Sequence, residues 1–136
     1  MPQIQNAKLA INHIKEKSLS ECAVTCRIRF SPDELTFMKE NPQMKFYLKC
    51  ELWGSEDGEP LKLGDDKLWV FDSFVSFPDS TPTEYEDARF SVVLGDEKLN
   101  EDTGLKPQDE IYGKLILTHK LFPKVERKTN VVTDYF

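Results

Sequence analysis

The ten residues Met44–Trp53 alternate side by side along their whole length. Met44, Phe46, Leu48, Cys50 and Leu52 fall on one face, and Lys45, Tyr47, Lys49, Glu51 and Trp53 fall on the other. A period of two sustained this long is the pattern of a half-buried β-strand, because successive side chains of an extended chain point to opposite faces. One such strand cannot bury its apolar face alone. It requires further elements to cover it, and the rest of the chain reads as segments able to do so.

Glu21–Phe30 repeats the pattern, with Cys22, Val24, Cys26, Ile28 and Phe30 on one face and Glu21, Thr25, Arg27 and Arg29 on the other. Residues 4–14 carry both a strand-like set (Ala7, Leu9, Ile11) and a helix-like set (Ile4, Ala7, Ile11, Ile14). The poor helix formers Asn6 and Asn12 favour the strand. Ser31-Pro32-Asp33-Glu34 has the form of a helix start, with Ser31 as cap, Pro32 at the first helical position and Glu34 closing a capping box. Asn41-Pro42 ends that helix after about two turns.

Beyond a turn-rich loop over Gly54–Asp66, Lys67–Phe77 is apolar on both parities. That suits a strand covered on both sides, or a phase change near Asp72-Ser73. Ala88–Leu94, Ile111–Leu121 and Val125–Phe136 supply three more strands, the first two separated by the long polar connection Gly95–Glu110. The expected fold is therefore all-β. It is a single-domain antiparallel β-sandwich of about seven strands on an Ig-like or fibronectin-like plan, with one short helix between strands B and C. The stretch Leu105–Leu117 (LKPQDEIYGKLIL) resembles the E–F corner of fibronectin type III domains, where a Leu-x-Pro turn precedes a tyrosine that opens an alternating strand. It departs in the parity of Tyr112 relative to Leu115 and Leu117. The resemblance implies a fold and carries no functional residue.

A formal net charge of -6 over 136 residues weighs against nucleic acid, which needs a cationic surface, and against an anionic membrane. No basic and apolar leader opens the chain and no apolar run is long enough to span a bilayer, so a cytoplasmic location is expected. Cys22, Cys26 and Cys50 are an odd number and fall on apolar faces, where reduced cysteines behave as small hydrophobes.

No arrangement of nucleophile, base and carboxylate is evident, no phosphate loop follows Gly54–Gly58, and His13 and His119 read as structural. The chain is accordingly expected to be a non-enzymatic interaction or structural module without cofactor, whose partner is another protein or a second copy of itself. The candidate surface comprises Tyr47, Trp53, Lys45 and Lys49 on the polar side of the central strand, together with Phe122, Lys124, Arg127 and Lys128 at a basic hairpin tip. Tyrosine and tryptophan are enriched at interface hot spots. The alternative is a calcium-dependent ligand-binding module of C2-like or carbohydrate-binding type. Gly54–Asp66 and Gly95–Glu110, each of net charge -4, would meet at one pole and offer Glu56, Asp57, Asp65, Asp66, Asp102 and Asp109 as oxygen ligands.

Overall fold

The computed structural model describes residues 1–55, 66–99, 109–134 and 136. The chain forms β1 (Gln3–Ile14), a 3-10 turn (Lys15–Lys17), β2 (Leu19–Arg29), α1 (Pro32–Glu40), β3 (Phe46–Gly54), β4 (Asp66–Val70) and β5 (Val75–Phe77). It continues with β6 (Tyr85–Gly95), α2 (Asp96–Leu99), β7 (Asp109–Thr118) and β8 (Val125–Asp134). The strands make two antiparallel sheets. One has the order β1-β2-β6, the other β4-β3-β7-β8 with β5 also on β3. The fold is thus an all-β sandwich, with eight described strands against the seven expected. The extra one arises because 66–77 is broken: β4 pairs with the end of β3 and β5 with its start, while Asp72–Phe74 leaves the ladder after a last bond from Phe71 N–H to Cys50 O at 3.1 Å. No phase change occurs there. Trp69, Val75 and Phe77 lie opposite the inward Leu52, Leu48 and Phe46, so one parity faces the core on both sides of the break, and Val70 and Phe74 of the other parity are exposed.

The alternation of β3 is realised as read. Phe46, Leu48, Cys50 and Leu52 are all 1% exposed or less, and face inward beside Ile111, Leu115 and Leu117 of β7. Opposite them lie Cys22, Val24, Cys26 and Ile28 of β2 and Ala88, Phe90 and Leu94 of β6, in one continuous core. Each large side chain so buried contributes about 1.5–3 kcal/mol. The mixed pattern of residues 4–14 is explained by a bulge. Asn6 adopts a left-handed φ of 53° and the pairing with β2 slips between Gln5 and Lys8, so Ile4 and Leu9 both face the core although their parities differ. Asparagine tolerates this conformation better than most residues.

Helix α1 starts as its sequence dictates: Glu34 N–H donates to Ser31 Oγ at 3.2 Å and Ser31 N–H donates to Glu34 Oε1 at 2.7 Å. It buries Met38 and sets Phe37 against His119 and Phe122, so it closes one end of the core. The open seam between the sheets is closed by side chains. Leu9 N–H donates to Asn130 Oδ1 at 2.9 Å and Asn130 Nδ2 donates to Leu9 O at 3.1 Å, joining edge strands β1 and β8. Next to it, Gly113 N–H donates to Thr129 Oγ1 at 2.7 Å. A Cβ on Gly113 would stand 3.1 Å from both Val24 Cγ2 of the facing sheet and Thr129 Cγ2. Glycine at this position permits the close approach of the two sheets.

Candidate interaction surface

The outward residues of β3 and β7 pair across the ladder as Tyr47 with Thr118, Lys49 with Ile116, Glu51 with Lys114 and Trp53 with Tyr112. Trp53 is held by its own neighbours. Its indole N–H donates to Glu51 Oε1 at 3.0 Å, Glu51 Oε2 pairs with Lys67 Nζ at 3.3 Å, and the ammonium groups of Lys67 and Lys114 lie 5.5 and 5.3 Å from the ring centroid. Such cation–π contacts fix the indole and screen its faces. Lys128 does the same for Tyr112, at 4.9 Å, which leaves that ring 5% exposed.

Tyr47 is differently placed. Its ring meets that of Phe74 edge-on at 5.2 Å, and the two are 38% and 55% exposed. Phe74, Val70 (48% exposed) and Lys49 line one shallow hollow with Asp72 and Ser73 at its rim. The helix does not cover this face, since α1 caps the end of the core around Phe37 and Met38. An aromatic pair with an exposed valine and an exposed lysine is therefore left on the surface. Lys45 lies half-buried just ahead of β3.

The basic tip does not come together as one surface. Phe122 turns inward, stacking on Phe46 at 5.5 Å and meeting Phe37 at 5.2 Å and His119 at 4.8 Å, so it closes the core. Lys124 pairs with Glu126 at 3.0 Å, Lys128 lies over Tyr112, and Arg127 stays exposed on β8, the edge strand of the same sheet, on the parity opposite to Glu126 and Lys128. Within the aromatic cluster His119 Nδ1 accepts the Leu121 N–H at 2.9 Å and Nε2 faces Met44 O at 3.3 Å. That pattern suits a neutral imidazole carrying its proton on Nε2, a structural role.

At the opposite pole, the ends of β3, β6 and β7 meet the β1–β2 turn. Ser55 N–H donates to Glu110 O and Asp96 N–H to Ser18 O, at 2.8 and 3.0 Å. The flanks of the two acidic connections therefore gather at one end. Of the six carboxylates considered for calcium, Glu56, Asp57, Asp65 and Asp102 lie outside the described residues. Asp66 is exposed at the start of β4, and Asp109 is 1% exposed at the start of β7. Among the described residues no three His, Cys, Asp or Glu side chains are arranged to hold a metal ion.

Sequence reasoning missed a tie at this pole. His13 has Asp96 Oδ2 3.0 Å from Nε2 and Asp134 Oδ2 3.5 Å from Nδ1, and the Phe136 ring is 5.0 Å away. Ser20, opposite His13 in the β1–β2 register, is wholly buried. The cluster joins β1, α2 and β8. Its members lie 83 and 121 positions apart in the chain, and no local spacing announces them.

The three thiols are free and buried. Burial pushes Cys22 up to about 11 and Cys26 and Cys50 up to about 12, the opposite of what a nucleophilic cysteine needs.

No protein-family model matches the chain, and no curated protein matches its sequence. Among solved structures it is similar to a Bordetella pertussis protein with the provisional name ApaA, at 11% identity and a TM-score of 0.46, covering 98% of this chain and 94% of that one. It is also similar to the Northeast Structural Genomics Consortium target SoR45, at 9% identity and a TM-score of 0.41, covering 97% of this chain and 84% of that one.

Proposed function

We propose that the protein is a non-catalytic β-sandwich module, of Ig-like plan, that binds another protein through the outer face of the β4-β3-β7-β8 sheet. The plan rests on strand order. In the lettering of such domains, β1, β2 and β6 take the places of A, B and E, and β3, β7 and β8 those of C, F and G. The binding role rests on one observation, the exposed Tyr47–Phe74 pair with Val70 and Lys49 beside it. Large apolar side chains clustered on an outer sheet face are the composition of an interface centre. The fitting partner offers an apolar side chain to this hollow and a carboxylate to the exposed Lys49, since Lys67 and Lys114 of the same face are already paired with Glu51 and Glu126. Reduced, buried thiols are in keeping with a cytoplasmic setting.

The test is a photo-crosslinking residue placed at Tyr47, at Phe74, or at Lys39 of α1 as a control, in cells that make the protein. A discrete adduct from the first two positions and not from the third supports the reading. Equal labelling from all three, or none, overturns it.

A further inference from the structure

Among the described residues, three of the four sheet edges are protected. Those of β1 and β8 are tied to one another through Leu9 and Asn130, and the β4–β5 edge is interrupted between Val70 and Val75. The fourth, β6, is different. It pairs with β2 through eleven consecutive residues, from Tyr85 opposite Arg29 to Gly95 opposite Leu19, without a bulge. Among the described residues no strand pairs with its other side. It contains neither proline nor lysine, and Phe90–Leu94 carries no charge. Proline, lysine and bulges commonly blunt natural edges, and β6, whose charges are confined to Glu86, Asp87 and Arg89, has none of the three, so it is a template for another strand.

We infer that β6 pairs antiparallel with β6 of a second copy about a two-fold axis at Ala88, fusing the two three-stranded sheets into one of six strands. The charges select this register. Asp87 and Arg89 both point outward, and in this register each Asp87 stands directly opposite the Arg89 of the other copy, twice per dimer. Within one chain Asp87 is bonded by Arg27 through Oδ1 at 2.9 Å, which leaves Oδ2 available. Arg89 is exposed and makes no hydrogen bond or ion pair among the described residues. Tyr85 (45% exposed) would face the other copy's small Ser91, and Val93 (57% exposed) its Thr83. A two-fold axis is the usual symmetry of a self-complementary patch.

The surface is separate from the Tyr47–Phe74 hollow, so the two readings can fail independently. The experiment is sedimentation equilibrium and native mass spectrometry of the intact chain from low micromolar to millimolar concentration. The wild type should dimerise reversibly. Arg89→Glu makes both positions acidic and Asp87→Lys makes both basic. Each places like charges opposite one another across the axis and should weaken association about tenfold or more. Mixing the two variants restores opposite charges in every pair, so a heterodimer should form at near wild-type strength. A wild type that stays monomeric throughout, or a dimer indifferent to both substitutions, would overturn the proposal. So would two variants that remain monomers when mixed while retaining the native circular dichroism spectrum.

Discussion

Removing the side chain of Asn130 tests how the two sheets are held together at their shared edge. Its amide acts as a short piece of ladder, accepting from Leu9 N–H at 2.9 Å and donating to Leu9 O at 3.1 Å. Asn130→Ala deletes both bonds. A hydrogen bond contributes about 0.5–1.5 kcal/mol net, and more is lost where a buried group is left unpaired. Leu9 is 4% exposed whereas Asn130 lies on the surface, so water can reach one side of the gap. The expected cost is about 2 kcal/mol, which for a chain of this length lowers the melting temperature by roughly 5–10 °C. Urea unfolding followed by circular dichroism measures it, with an unchanged m-value showing that both folded states bury the same surface. Arg127→Ala, on the same strand and without a described partner, should stay within about 0.5 kcal/mol of wild type. If Asn130→Ala were as stable as Arg127→Ala, the seam would not depend on this amide and the reasoning would be refuted.

Other consequences can be checked in the same way. Gly113→Ala places a Cβ 3.1 Å from Val24 and Thr129 and should cost about 1–3 kcal/mol by overpacking, read as a lower urea midpoint. Ser31→Ala removes the α1 cap and should cost about 0.5–2 kcal/mol, again by urea unfolding. The thiols give a pH dependence. Their folded values, pushed up to about 11 and 12 by burial, lie above the unfolded value near about 8.5. The stability they contribute is therefore complete below that value and is lost as pH rises through 11 and 12. Cys50→Ala should flatten the fall of the urea midpoint over this range, and an unchanged slope would count against it.

Much of the fold could be read from the chain because its signals are local. The alternation of β2, β3 and β6 and the capping box of α1 each occupy a few neighbouring residues, and the structure realises all four. The bulge at Asn6 showed in the sequence only as a conflict of parity, because a slip of one residue turns every following side chain to the other face, whereas the apolar Val70 and Phe74 on the second parity of 67–77 are simply exposed. The surface was harder to read. Tyr47 and Trp53 share a face and a period, yet lysines from β4 and β7 cover one while Phe74 leaves the other open. Phe122 has the composition of an exposed hairpin tip but is drawn into the core by Phe37, Phe46 and His119. The ties at His13 and Asn130 depend on residues brought together from opposite ends of the chain, which no window of sequence contains.

The central claim is that the Tyr47–Phe74 hollow is where a partner binds. The most direct measurement compares three forms of the protein, wild type, Tyr47→Ala with Phe74→Ala, and Arg89→Glu, each shown to be folded by its melting curve. For each, the yield of the partner first identified by crosslinking at position 47 is quantified. The account predicts that the aromatic double variant loses that partner while remaining a dimer, and that Arg89→Glu keeps it. Wild-type yield from the aromatic double variant would contradict the account.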